Sequence, residues 1–469
     1  MGEISSVLVR YGFGEVVARL GIGRARRSKN SSNPPSSQDF PSDPTASSPQ
    51  NSKREEFAVR IRKVLEALGP SFIKLGQIAS TRADLLPQEI IFELKKLQDA
   101  APPVEFEAIK EQVELSLGAE LDSIFEFFDK VPLAAASIAQ VHRARLRTED
   151  GLREVVVKVQ RPGIAETIES DLDLLHMLAT LIERSIPETR VYSPEALVRQ
   201  FDRTVHNELD FTIEAENAQR FARSFEQNPK IRFPYVYRHA SSKRVLSLEY
   251  FDGKRLDTAI ELGYNRRNIV KISLEIMVKQ IFEDGFFHAD PHPGNVIVLG
   301  TPEDPILGLI DLGMVGRLSP RLRDLTVDLM IGATRRDHDA IADAMLAIGT
   351  PTHRVDSTRF RSEVADIAER YLGRPIAEIE ASILIRDLVR IANRYGLEIP
   401  TDFLLVGKAM MTVEGIGRQL DPNLDIFEEV KPHFLNLLKR RYSPERLTLQ
   451  FLKRLERLSD KTANLPTQL

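Results

Sequence analysis

Asp290, Asn295 and Asp311 are the residues of this 469-residue chain best suited, by type and spacing, to do chemistry. They lie in residues 285–316, which read Gly-Phe-Phe-His-Ala-Asp-Pro-His-Pro-Gly-Asn-Val-Ile-Val, a turn, then Ile-Leu-Gly-Leu-Ile-Asp-Leu-Gly-Met-Val-Gly. Asp290 precedes Asn295 by five positions in a loop stiffened by Pro291 and Pro293, and Asp311 closes the apolar run 306–310. Runs 296–299 and 306–310 flank Gly-Thr-Pro-Glu-Asp-Pro, so a hairpin is expected that sets Asn295 and Asp311 side by side at one end. An amide oxygen and two carboxylates are hard oxygen donors, suited to Mg²⁺ carrying a phosphate. Two acidic exposed loops would share this composition. The full order His-x-Asp-x4-Asn, hairpin, Asp-Leu-Gly is far rarer and points to phosphoryl transfer on a protein-kinase-like plan.

The elements that must position these residues can be read outward from them. A helix over 268–283 delivers the loop. Upstream, 131–142, 143–146 and 154–160 read as three strands, the last two joined by Thr-Glu-Asp-Gly. On the third, Val155, Val157 and Val159 point one way while Val156 and Lys158 point the other. A lysine in a valine run needs an anionic partner if buried, and on an edge strand it would sit in water. Helical patterns over 164–185 and 194–228 follow, and Asp210 and Glu214 fall i, i+4 on the second, where one could meet Lys158. Strands at 235–238 and 244–250 exit through Phe-Asp-Gly, whose backbone could hydrogen-bond an adenine. From residue 320 onward the pattern is helical: 322–333, 338–346, 357–372, 383–394, 403–416, 426–439 and 444–458.

Closer to the N-terminus, Phe57, Ile61, Val64, Leu65, Leu68, Phe72 and Leu75 recur at helical steps. Lys74 and Gln77 share one face near the end of that helix, and on composition alone they read as a solvated polar face. Helices are expected at 87–98 and at 104–117, the latter ended by Gly118. Residues 1–25 form an amphipathic helix too interrupted by charge to be a signal peptide. It could lie on a membrane or pack on the protein itself. Residues 26–54 are rich in Ser, Pro, Asn and Asp and read as a disordered linker, so that the first helix is tethered rather than integrated and the globular part starts near residue 55.

Composition bounds the rest. Hydrophobic residues at 42% and charged residues at 28% suit a globular protein. A net charge of −4 speaks against nucleic acid as a partner. The absence of cysteine excludes disulfides and thiolate metal sites. No apolar run approaches the roughly 20 residues that span a bilayer.

Six motifs in order then identify a family. Lys74-x-Gly-Gln77, Ala134-Ala135-Ala136-Ser137, Val-Lys158-Val-Gln-Arg-Pro-Gly, Glu208-x-Asp210, His288-Ala-Asp-Pro-His-Pro-Gly-Asn295 and Asp311-Leu-Gly resemble the UbiB/ADCK (ABC1-type, AarF) atypical kinases. The resemblance covers roughly residues 55–420. It implies an α+β, two-lobed protein-kinase-like fold with an extension over 55–130 carrying the Lys-x-Gly-Gln helix. The small sheet lobe with inserted helices would occupy 131–253, and the helical lobe 254–469. It implies ATP and Mg²⁺ as ligands, with Lys158 on the α- and β-phosphates and Glu214 holding it. Asp290 is the implied catalytic aspartate, Asn295 and Asp311 the metal ligands, and Glu249 and Phe251 the adenine hinge. Ala134, Ala135, Ala136 and Ser137 stand where ordinary kinases use a glycine-rich loop, so phosphate is gripped differently and efficient peptide phosphorylation is put in doubt. In the family Lys74 meets Glu208 and Asp210, with Gln77 in the same regulatory set, which overturns the solvated-face reading.

The resemblance further implies a role in ubiquinone or other isoprenoid-lipid biosynthesis, with quinone-pathway proteins as partners. The expected location is cytoplasmic, at the inner face of a membrane. Many relatives end in transmembrane segments, so either such an anchor has been removed here or membrane contact is peripheral. Two other readings compete: a small-molecule phosphotransferase of the aminoglycoside or choline kinase type, and a non-catalytic ATP-binding scaffold. The first group lacks the Lys-x-Gly-Gln helix and the alanine loop; a scaffold would not need Asp290.

Overall fold

The computed structural model describes residues 2–14, 49–80, 86–97, 101–186, 193–372 and 381–421. Most of the linker expected over 26–54, and the helices expected over 426–439 and 444–458, lie outside the described residues. The chain forms two compact units, one of residues 1–223, 233–251 and 311–313, the other of 224–232, 252–310 and 314–469.

The first unit opens with α1 (Gly2–Arg10), α2 (Pro49–Leu68), α3 (Pro70–Ala79), α4 (Gln88–Leu94), α5 (Phe106–Leu117) and the short α6 (Leu121–Ile124). The single helix expected through residues 57–75 is broken at Gly69, which takes φ 100°, and Pro70 restarts it at its first position. Two sequence expectations need correction here. Helix α2 begins at Pro49, so residues 49–54 are helical and not linker. Helix α1 is integrated: Ile4 and Val7 are buried in one apolar cluster with Phe72, Ile78, Leu172 and Phe201. An amphipathic stripe reports that a face must be covered, not what covers it.

The sheet of this unit comprises β1 (Phe125–Phe128), β2 (Ala134–Ala135), β3 (Ala139–Thr148), β4 (Gly151–Gln160) and β6 (Val245–Glu249), in the order β1-β3-β4-β6 with β2 on β3. Strand β1 was not foreseen, and only Val236 of the strand expected over 235–238 bridges to Leu248. Val155, Val157 and Val159 are fully buried against Ile109, Val113 and Phe125, while Lys158 lies on the opposite face, opposite Val141 and Leu246. Burying each such valine is worth about 1.5–3 kcal/mol, so a one-residue slip that moved Lys158 inward would be heavily penalised. Helices α7 (Ile164–Ser185), α8 (Pro194–Leu209) and α9 (Phe211–Ser224) complete the unit. The continuous helix expected over 194–228 is interrupted at Asp210, which is extended (φ −104°, ψ 93°). Its Oδ1 accepts from the Thr212 backbone N–H and hydroxyl, so Asp210 caps α9 and does not share a helical face with Glu214.

In the second unit, β5 (Ile231–Arg232), β7 (Lys254–Arg255), β9 (Val296–Gly300) and β10 (Pro305–Leu309) form a sheet ordered β5-β10-β9-β7. The β9–β10 hairpin is the one expected from the sequence, with Val296 opposite Leu309. Helices α10 (Leu256–Glu261) and α11 (Arg266–Val278) lead through a π-helical turn at Lys279–Asp284 to Gly285 (φ 63°) and β8 (Phe286–His288). Strand β11 (Val315–Arg317) pairs with β8. Next come α12 (Pro320–Arg335), α13 (His338–Ile348), α14 (Ser357–Leu372), α15 (Ala381–Arg394) and α16 (Thr401–Leu420), with β12 (Thr350–Pro351) and β13 (Leu397–Glu398) as a small pair. Among the described residues no helix is long and apolar enough to cross a membrane.

Candidate functional site

Lys158 leaves the face of β4 opposite the valine core and meets two carboxylates of its own unit. Its Nζ donates to Glu214 Oε2 at 2.8 Å and lies 3.6 Å from Asp311 Oδ1, above the Phe211 ring. Burial alone would push this ammonium down, but the Asp311 and Glu214 carboxylates, with a contribution from Glu208, hold it well above the ordinary lysine value. Burial pushes the Glu214 carboxyl up, and Asp311 adds to that; the Lys158 charge and the Leu312 N–H pull it down. Lys158 is therefore a fixed cation, and the ion pair it makes with Glu214 holds its stem. Glu214 reaches it because the break at Asp210 restarts the chain as α9, which presents Glu214 one turn in.

Asp311 takes φ 55°, the left-handed region that Asp tolerates better than most residues. The turn it opens is fixed by Asn217 Nδ2, which donates to Leu312 O at 3.0 Å. Backbone strain of this kind is retained where the surrounding contacts over-determine it, and it aims the carboxylate rather than relaxing it.

The alanine loop joins β2 to β3. Ala135 O accepts from Ala101 N, and Ala136 N donates to Ala139 O at 2.8 Å. Arg161 Nε donates to Ala136 O at 2.7 Å while its Nη2 donates to Pro102 O at 2.8 Å. Gln140 accepts from Val104 N and donates to His142 Nε2, whose Nδ1 in turn donates to Asp129 O. Burial pushes the His142 imidazole pKa down, so the ring is neutral and can hold both bonds. A loop tied at both of these carbonyls is a rigid ledge, unlike a mobile glycine flap. Ser137 is buried with its hydroxyl unpartnered.

Lys74 is paired. Its Nζ lies 2.8 Å from Glu208 Oε2, both side chains are largely buried (16% and 14% exposed), and Gln77 Nε2 donates to Leu97 O. Asp210, besides capping α9, lies 3.8 Å from Lys243. At the end of β6, Glu249 Oε2 accepts from Tyr235 N, and the neighbouring Phe251 is mostly buried.

In the second unit the loop after β8 carries Asp290 and Asn295. Gln280 Oε1 accepts from His288 N, Ala289 N donates to Met314 O, and His288 Nδ1 accepts from Asp290 N. Asn295 Nδ2 donates to Asp290 O at 3.2 Å, which leaves Oδ1 as the amide's acceptor. Ile310 N donates to Asn295 O, so the hairpin closes at Asn295 one residue before Asp311 in the chain. Beneath this loop a cavity of about 30 Å³, lined by Met277, Gln280, Phe287, Leu309 and Val413, has room for a water or two beside the unpartnered Gln280 Nε2. One partner of the loop was not foreseen: Lys408 Nζ of α16 lies 3.0 Å from Asp290 Oδ1. Nothing in the local pattern of residues 403–416 singles out that lysine; only its place in the fold does.

Among the described residues no group of three or more His, Asp and Glu could hold a metal by itself. Mg²⁺ held by one or two protein oxygens together with phosphates and waters needs no such cluster, and Asn295 Oδ1 and the Asp311 carboxylate are donors of that kind.

Comparison with known proteins gives the family and the fold. The ABC1 atypical kinase-like domain matches residues 96–345, and the UbiB helical domain matches 364–425. The chain belongs to the ABC1/UbiB atypical kinase-like family. It is 36% identical over 414 residues to the probable protein kinase UbiB of Azotobacter vinelandii, covering 87% of this chain and 76% of that protein. It is likewise 36% identical over 415 residues to its counterpart in Xanthomonas oryzae pv. oryzae, covering 87% and 74%. Among solved structures, the Rv3197–erythromycin complex from Mycobacterium tuberculosis matches with a TM-score of 0.52 at 24% identity, covering 82% of this chain and 98% of that one. That likeness, with the domain match, establishes a mixed helical and sheet kinase-like fold for this ABC1/UbiB protein.

Proposed function

We propose that this ABC1/UbiB chain is an ATP- and Mg²⁺-dependent kinase-like enzyme, acting largely as an ATPase, that supports ubiquinone or other isoprenoid-lipid biosynthesis. The observation that carries the reading is Lys158, kept cationic between Glu214 and Asp311 on the sheet face opposite the valine core, with its own side chain mostly buried. A cation held this way serves an anionic ligand better than it serves stability.

In this reading Lys158 binds the α- and β-phosphates, and the rigid Ala134–Ala135 ledge borders them. The hinge at Glu249 and Phe251 receives adenine. Asn295 and Asp311 hold Mg²⁺, which supplies charge neutralisation at the phosphate oxygens. Asp290 orients the attacking hydroxyl, of water or of an acceptor, and takes its proton as the new P–O bond forms. The bond from the γ-phosphorus to the bridging oxygen breaks, and ADP leaves with those electrons. The buried Lys74–Glu208 pair favours this over an aminoglycoside-type phosphotransferase, which lacks the Lys-x-Gly-Gln helix. Peripheral contact with a membrane would bring the enzyme to lipid precursors.

The test is ATP hydrolysis by the purified chain with Mg²⁺, with and without lipid vesicles. Asp290→Asn is expected to bind ATP but lose turnover about 10²-fold or more. Wild-type turnover in that variant would remove Asp290 from the chemistry.

A further inference from the structure

The catalytic loop, residues 288–295, contains no lysine or arginine. Among the described residues the only basic side chain at ion-pair distance from Asp290 is Lys408, 3.0 Å from Oδ1, with the two side chains 27% and 35% exposed. Lys408 lies in the UbiB helical match, outside the kinase-like match that contains Asp290. We infer that Lys408 is a positioning residue for the reaction, a cation supplied to the catalytic loop by the helical domain. This rests on the reading of Asp290 as the group that takes the acceptor's proton.

The mounting of Lys408 supports the inference. Helix α16 buries Phe403, Val406, Ala409, Met410 and Val413, so its axis cannot shift without opening the core of its unit. At its first turn Asp402 Oδ1 accepts from Arg317 N on β11, the strand paired with β8, from which the loop springs. Lys408 follows six residues later, about 9 Å along the helix. One rigid element therefore grips the strand pair at one point and the Asp290 carboxylate at another. Ala409, the next residue, lines the small cavity under Phe287 and His288, so the same helix also supports the loop from below.

Asp290 sits in a partly exposed loop, where a carboxylate without a partner can rotate among staggered positions. A displacement of about 1 Å at a reacting group can cost about 10²-fold in rate. The Lys408 ammonium selects one orientation, and its charge offsets repulsion between Asp290 and an anionic phosphate group. The inference also gives the helical domain a part in catalysis, through one side chain.

The experiment uses the full chain and two readouts. In the nucleotide-free protein a zero-length carbodiimide is expected to join Lys408 to Asp290, giving a cross-linked peptide pair by mass spectrometry that is absent in Lys408→Met and in Asp290→Asn. In ATP turnover with Mg²⁺, Lys408→Met is expected to lower kcat about 10- to 100-fold while KM for ATP changes less than about 3-fold, and Lys408→Arg to keep at least about a third of the wild-type rate. Lys408→Gln, which keeps a polar end on a side chain one atom shorter, repeats the kinetic test should the methionine variant fail to fold. Absence of the cross-link from the wild type overturns the inference. So does an unchanged kcat, a rise in KM alone, failure of arginine to restore the rate, or a faster Lys408→Met enzyme, which would make Lys408 a restraint. If Asp290→Asn is inactive and Lys408→Met is not, only the role of Lys408 falls. If the wild type shows no turnover, or Asp290→Asn keeps it, the reading of Asp290 falls and the inference with it.

Discussion

Replacing Lys74 by alanine removes a cation from a place where its partner has little water to turn to. The Glu208 carboxylate is 14% exposed, and the space around the pair is walled by Ile138, Ile164, Ile168, Phe201 and Val205. Breaking one side of a fully buried pair costs about 3–5 kcal/mol, and an exposed pair about 0–1 kcal/mol. With both partners about six-sevenths buried, we expect a loss of about 2–3 kcal/mol. For a unit of this size each kcal/mol shifts the melting point by about 2–4 °C, so the first unit should melt about 4–12 °C lower. The assay is differential scanning calorimetry with the transition of the first unit followed separately, since the two units need not unfold together. Asp304→Ala serves as the control, because it breaks the exposed pair with Lys230 and should move the second unit by less than about 1 kcal/mol. The double variant Lys74→Met with Glu208→Gln should recover part of the loss, because no uncompensated charge remains. Glu208 also contributes to holding Lys158 in its charged form, so the single variants should alter nucleotide affinity as well. A Lys74→Ala protein that melts within about 1 °C of the wild type would refute the reasoning and return Lys74 to solvent.

Two further outcomes follow from the geometry. If Asp311 and Asn295 hold Mg²⁺, ATP with Mg²⁺ should raise the melting temperature by mass action, and Asp311→Asn should shrink the Mg²⁺-dependent part of that shift; an undiminished shift would take Asp311 out of the metal site. The second concerns His206, which bridges α8 to α7 through Asp202 and Glu169. The hydrogen bond to the Asp202 backbone, then Glu169, raises its pKa above the ordinary value of 6.5. A raised folded-state pKa stabilises fully below about 6.5 and is lost as pH rises through the folded value. His206→Gln should therefore cost more melting temperature at pH 5.5 than at pH 8, and an equal cost at both would show that the imidazole is neutral in the fold.

Much of the candidate site was legible because its signals are local. The β9–β10 hairpin, the loop before it and the alternation that puts Lys158 opposite its neighbouring valines depend on residues a few positions apart, and sequence spacing reports such geometry directly. The bounds of the helices were less legible. Gly69 and Asp210 each break a run whose apolar periodicity continues across the break, since periodicity records which face is buried and not where the backbone turns. The periodic pattern therefore placed Asp210 beside Glu214 on one face, whereas the fold uses Asp210 as a cap.

By itself, the sequence determined the order of chemical groups, the kinase-like plan and the family, because those rest on residue types at fixed short spacings. The Lys158–Glu214 pair, 56 positions apart, was implied by the family resemblance and not by local spacing. Only the tertiary structure decided that Lys408 reaches Asp290, from a helix in a different domain match. It also decided that α1 packs Ile4 and Val7 into the core of its own unit. An ion pair or an apolar contact between distant segments leaves no mark in either segment alone, since each needs only a charge or a stripe that many partners could satisfy. The choice among those partners is made when the cores close, and it is the buried valines, phenylalanines and leucines around the site that bring these particular charges into reach.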